Sequence, residues 1–266
     1  MCNFVRFLVA LTNRPCMQHH TFGSYVRGAE PHLPTYVVHS PHLVHRRRSI
    51  LENLERLAIS SVTLVACANR DDINALHSAE RACIYSSTFN PFDKRNTILQ
   101  NGTISLALKH KIAYADIVQR RIERALVLED DAYLPMDFWK TLSSFRIPTN
   151  ADIFYLGSYS KFSDWNVLKW DPPVLGSYPR IHKRDCRSKG RMNKHLGAIS
   201  YVIYYKAAAQ MIATNIKVTP DSALSAMPCN WTKCSFCKYS PTHQYGPSRW
   251  VVYPRKTLDG SNTHRY

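Results

Sequence analysis

The chain has 266 residues, 45% of them apolar and 20% charged, a length that suits one α/β domain or two small ones with a substantial core. No run of eighteen apolar residues occurs, so a membrane-spanning helix is not expected. The +16 charge is uneven, with residues 1 to 177 carrying 20 basic and 16 acidic side chains (+4) and residues 178 to 266 carrying 15 and 3 (+12).

A basic face of this kind serves nucleic acid, an anionic membrane surface or phosphorylated small substrates. No nucleic-acid module is legible and the aromatics form no stacking repeat, so a phosphate-bearing substrate is expected rather than nucleic acid. The opening Met1 to Thr12 is apolar but short, with Arg6 inside it and no basic region before it, which makes a poor secretory signal. Eight cysteines permit disulfides, and Asn101-Gly102-Thr103 and Asn230-Trp231-Thr232 match the glycosylation acceptor pattern, so cytoplasm and secretory lumen both stay open.

Residues 1 to 34 lack a sustained period and read as an N-terminal extension or loosely packed arm. Thr35 to His39 is a β-branched, aromatic strand ending at Ser40-Pro41. Arg46-Arg47-Arg48 follows in a loop or first helical turn, either as a solvated helix end or as a phosphate-facing loop after a strand. Ser49 then caps a helix with Ile50, Leu51, Leu54, Leu57 and Ala58 at helical spacing and Glu52 in the capping-box position. Ser61 to Cys67 is a second strand, which completes a βαβ unit and implies a parallel pair.

Asp71 to Arg95 reads as a helix followed by a loop around Pro91, and Thr103 to Val118 as a helix apolar on most of its surface. His110 within it is a satisfied core or surface histidine before it is a catalytic one. The organising stretch comes next: Ala125-Leu126-Val127-Leu128 is a buried strand, and Glu129, Asp130 and Asp131 stand at its carboxyl end. In α/β folds that end faces the ligand crevice. Packed carboxylates raise one another's pKa unless a cation offsets them, and Mn²⁺ or Mg²⁺ is the partner suited to oxygen ligands. A solvated acidic turn is the other reading.

Met136 to Phe145 reads as a helix and Asp152 to Gly157 as a strand; the charged, proline-bearing stretch Ser158 to Met192 is a candidate acceptor-side lid. Gly197 to Tyr204 is a strand with the helix Lys206 to Ile212 behind it, and Asp221 follows Pro220 in a loop. Cys229, Cys234, Cys237 and His243 contain one CxxC pair, for which disulfides or free thiols stand ahead of zinc. The expected architecture is an α/β domain over 35–225 with a mostly parallel central sheet flanked by helices, followed by a basic, cysteine-bearing segment over 226–266.

Taken together, Ala125 to Asp131, Asp152 to Gly157 and Gly197 to Ile203 resemble glycosyltransferase family 25, whose members include lipopolysaccharide and collagen galactosyltransferases. The strand with its Arg46-Arg47-Arg48 turn, the Gly102 helix with His110, and Val218-Thr219-Pro220-Asp221 resemble that family's other motifs. Thr103 and Lys109 depart from its usual glutamate and serine. The resemblance implies a GT-A-like fold, a metal-bound UDP-sugar donor, most often carrying galactose, a glycan or glycoprotein acceptor, and inversion at the anomeric centre. It points to Asp131 as direct metal ligand, with Glu129 on the same strand face, and to Asp130 on the ribose or as a second ligand. Arg46, Arg47 and Arg48 would face the diphosphate. Asp221 is the expected base, an isolated acid in an acid-poor region; a turn aspartate after proline is its other reading. A metal-dependent phosphotransferase or nuclease, or a basic binding module on a degenerate transferase scaffold, are rival readings.

Overall fold

Aliphatic and β-branched runs form the middle of the sheet, where side chains are buried on both faces. The computed structural model describes residues 16–22, 33–75, 84, 101–143, 147, 151–157, 198–213, 244–245 and 252–254. The strands are β1 (Met17–Thr21), β2 (Thr35–Val38), β3 (Ser61–Val65), β4 (Arg124–Glu129), β5 (Ala132–Tyr133), β6 (Ile153–Gly157), β7 (Ser200–Tyr204), β8 (Gln244–Tyr245) and β9 (Tyr253–Pro254). The helices are α1 (Val44–Arg56), α2 (Arg70–Ala75), α3 (Asn101–Gln119), α4 (Phe138–Ser143) and α5 (Tyr205–Ile212). None of the described helices is long and apolar enough to cross a membrane.

Seven strands form one sheet in the order β1-β3-β2-β4-β7-β6-β8, and β5 pairs with β9 separately. The expectation of a mostly parallel sheet is corrected to a mixed one. The β2–β3, β2–β4 and β6–β8 ladders are parallel, whereas β1–β3, β4–β7 and β6–β7 are antiparallel. The apolar pattern conceals this because Tyr201, Val202 and Ile203 of β7 are buried on both faces. Such a strand gives an unbroken apolar run whichever way its neighbours point.

The first 34 residues also do more than the expected loose arm. Met17 to Thr21 pairs with β3 as an edge strand, and Cys16 and Cys67 form a disulfide across a sequence separation of 51. Its Met-Gln-His-His-Thr sequence is too polar to announce a strand; ladder hydrogen bonds to β3 hold it instead.

Helix α1 begins at Val44, earlier than the Ser49 cap expected, and no side chain caps it. Ser49 is inside the helix, and Glu52 bonds Arg48 rather than a backbone N–H. The helix closes with Ala58 N–H on Glu55 O and Ile59 N–H on Leu54 O, Ala58 taking a left-handed φ of 55°. Leu54 and Ile59 pack in the same apolar cluster, which anchors that turn.

The two sheet faces bury separate cores. One takes α3 and α5 with Tyr36, Val38, Ala125 and Val127; the other takes α1 and α4 with Val37, Leu126 and Leu128. At the end of β6, a Cβ on Gly157 would collide with the Val252 carbonyl, so only glycine lets the C-terminal backbone cross there.

This arrangement makes β2 a switch point. The chain leaves β2 for β3 through α1 on one face, and leaves β3 for β4 through α3 on the other. Helices diverging to opposite faces open a crevice at the carboxyl ends of the strands between them, where α/β proteins bind ligands.

Candidate functional site

Strand β4 ends at Glu129, and Asp130 and Asp131 form the turn into β5. Alternation therefore does not continue through Asp131: of the two readings, an extended strand or one that has already turned, the structure has the second. Even residues of β4 pack toward α1 and odd ones toward α3, so Glu129 continues onto the α3 side. The turn is pinned from α1 by Asn53, whose amide donates to Leu134 O and accepts from Leu134 N–H, both at 2.9 Å. A buried amide satisfied by one backbone residue fixes the chain just past the acids.

On the α1 side Asp130 is 8% exposed and engaged at both oxygens. Oδ1 lies 3.1 Å from Arg46 Nη1; Oδ2 lies 3.0 Å from His39 Nδ1 and 3.3 Å from the Ser40 N–H. The same Arg46 nitrogen reaches Asp131 Oδ2 at 3.3 Å. Burial pushes the Asp130 carboxyl up, but the His39 hydrogen bond and the Arg46 charge outweigh it and hold it below the usual range.

Of the three arginines, only Arg46 meets the carboxylates. Arg47 lies 3.5 Å from His20 of β1, and Arg48 is exposed and bonded to Glu52. The reason is helical geometry: residues one apart are turned about 100° from each other, so three in a row cannot face one ligand.

On the α3 side Glu129 Oε1 lies 3.7 Å from His110 Nε2. His110 Nδ1 is 2.7 Å from the Tyr201 hydroxyl, which also meets the Tyr114 hydroxyl. Complete burial, with the Lys109 charge next to it, pushes His110 down to about 3. The ring is therefore neutral, and its approach to Glu129 is not an ion pair, despite the separation. Burial likewise pushes both tyrosines up.

Between the two sides lies Lys109, 1% exposed, donating to Ser40 Oγ at 3.2 Å and Asn69 Oδ1 at 2.8 Å. It joins the loops that follow β2 and β3. Burial lowers its ammonium to about 8, with Asp130 and Asp72 opposing that shift. Lys109 thus clamps these two loops together.

Sequence reasoning singled out Asp130, Asp131 and Arg46, and they converge. Glu129 stands apart from them on the other face. Asp221, the Ser158 to Met192 stretch and the Cys229, Cys234, Cys237 and His243 group lie outside the described residues. Missed were His39, Ser40, Asn53 and Tyr201. His39 had one available signal, its place at the carboxyl end of the first strand, the same position that drew attention to the acids.

Among the described residues no three His, Cys, Asp or Glu side chains group as a metal cage. A Mg²⁺-type ion shared with phosphate needs only one or two carboxylates, the rest of its shell being phosphate oxygen and water. Adjacent Asp130 and Asp131 offer hard oxygen donors of that kind, so the residues fit such an ion.

Compared with known proteins, residues 33–226 match the family model described as glycosyltransferase family 25 (LPS biosynthesis protein). No curated protein matches the chain.

Proposed function

The chain belongs to glycosyltransferase family 25, and from that premise we propose that it moves a hexose, galactose being the first candidate, from a UDP-sugar to a hydroxyl of a glycan or glycoprotein acceptor. The scaffold proposed is GT-A-like. One observation carries the reading: Asp130, Asp131, Arg46 and His39 converge at the carboxyl ends of β2 and β4, on the switch point of the sheet.

Cleaving the bond between sugar and diphosphate leaves negative charge on the leaving phosphate. Asp131, with Asp130 beside it, would hold Mn²⁺ or Mg²⁺, which when bound offsets that charge. Arg46 adds a fixed guanidinium next to the same carboxylates and is the arginine assigned to the diphosphate. Asn53 and the β4–β7 ladder keep the turn from moving as the charge develops. Inversion requires a base on the acceptor side, and Asp221 remains the residue proposed for it.

The test is calorimetric binding of a panel of UDP-sugars with and without Mn²⁺, on the wild type and Asp131→Asn. Metal-dependent binding that falls on the order of 100-fold in the variant is expected. Absence of binding to every UDP-sugar would overturn the proposal.

A further inference from the structure

Arg46 Nη1 lies between two carboxylates, 3.1 Å from Asp130 Oδ1 and 3.3 Å from Asp131 Oδ2. One nitrogen thus spans oxygens of adjacent residues. Asp130 Oδ2 is engaged by His39 and by the Ser40 N–H. The oxygen that Asp130 presents to a cation is therefore the one that faces Arg46. A divalent ion held by this pair of aspartates would draw on the same oxygens as the guanidinium.

Charge sharpens that conflict. Lys109, bonded to Ser40 and Asn69, also acts on Asp130 through its ammonium charge. Among the described residues two single cations thus already answer two buried carboxylates. A doubly charged ion added to them leaves positive charge in excess at a site shielded from water, where like charges repel strongly. One cation has to move aside, and Arg46 is the one placed to do so. Lys109 is 1% exposed, whereas the Arg46 side chain is 16% exposed and starts from the first turn of α1.

A diphosphate changes the balance. It brings negative charge that a guanidinium and a divalent ion can share, and arginine matches phosphate oxygens with paired N–H donors.

We propose that Arg46 stands in for the divalent ion on Asp130 Oδ1 and Asp131 Oδ2, and passes to the diphosphate when nucleotide and ion bind, which couples the two positively. The proposal rests on the transferase reading above and gives Arg46 a second position within it. By linkage, the factor that nucleotide adds to ion affinity is the factor that the ion adds to nucleotide affinity.

The experiment reads Mn²⁺ affinity from the free-ion signal in electron paramagnetic resonance, on wild type, Arg46→Gln and Arg47→Gln. Each is measured without UDP and with it, corrected for the Mn²⁺ that UDP holds in solution. Arg46→Gln should bind Mn²⁺ alone about 5- to 10-fold more tightly than wild type, and UDP should raise its Mn²⁺ affinity by a smaller factor. A residue that only positions the aspartates gives the opposite sign, because its loss weakens the ion. Arg47→Gln removes the same charge one position along, from a side chain that lies 3.5 Å from His20, and should stay within twofold of wild type. If Arg46→Gln does not fold, Arg46→Lys keeps the charge on a stem whose nitrogen falls short of both oxygens. It too should bind Mn²⁺ alone more tightly, by a smaller factor.

Mn²⁺ affinity unchanged or weakened in a folded Arg46→Gln would overturn the proposal. Equal tightening in Arg47→Gln would do the same, since it would make the effect one of overall charge. Failure of the wild type to bind UDP in the presence of Mn²⁺ would remove the transferase reading and this proposal with it; that failure is read on the wild type alone and so is distinguished from the others.

Discussion

The two sides of the β4 terminus solve the burial of polar groups in opposite ways. Toward α1, Asp130 stays charged because His39 and Arg46 offset desolvation, and the same guanidinium reaches Asp131. Toward α3, desolvation wins, and His110, Tyr114 and Tyr201 are kept neutral and bonded to one another, while His110 Nε2 has no hydrogen-bond partner among the described residues. The difference teaches where to look for chemistry. A neutral network fixes backbone position, whereas charges retained at several kcal/mol of desolvation each mark the side that will meet another charge.

The largest break of that comparison is Arg46→Met. It leaves two carboxylates, 8% and 4% exposed, without their guanidinium, and should destabilise the fold by about 3 kcal/mol or more in urea at neutral pH. The sign with pH follows from Asp130, whose folded pKa lies below its ordinary 3.8. Its contribution is present above 3.8 and lost as pH falls through the lower folded value, so the gap between variant and wild type should close in acid.

The neutral side should also lose stability in acid, beginning at a higher pH. His110→Phe removes a hydrogen bond from buried Tyr201 and should cost about 1–3 kcal/mol. His110 is held near 3 when folded against 6.5 when unfolded. Between those values the unfolded chain takes a proton that the folded one refuses, so wild-type stability falls with decreasing pH by roughly 1 kcal/mol per unit. The phenylalanine variant should lack that slope while binding UDP normally; a large fall in UDP affinity would show that the two sides are not separate. The smallest effect belongs to Arg48→Ala. Arg48 is 82% exposed and meets only Glu52 among the described residues, so neither melting temperature nor nucleotide affinity should move measurably.

Much of this was legible from side-chain chemistry. Tyr36-Val37-Val38 and Leu126-Val127-Leu128 announce buried strands because nothing else accommodates such runs between polar breaks, and the three acids after the second run mark its end as a site. What stayed hidden was relational. The direction of β7 is invisible because both of its faces are buried. The separation of Arg46 from Arg47 and Arg48 depends on where α1 starts, and without a side-chain cap no residue announced that start. His39 was passed over because a single polar residue at a strand end has no period. Its meaning comes from Asp130, 91 positions later. The pairing of Cys16 with Cys67 could not be reached from spacing among eight cysteines.

That disulfide encloses β2, α1 and β3, and with them His39 and Arg46, in a covalent ring. A protease that cuts the backbone once between Cys16 and Cys67 therefore produces no separate fragment until a reductant is added. The ring also lies wholly upstream of Arg124, so the half of the crevice that carries His39 and Arg46 can be sealed during synthesis before the acidic strand that completes it has been made.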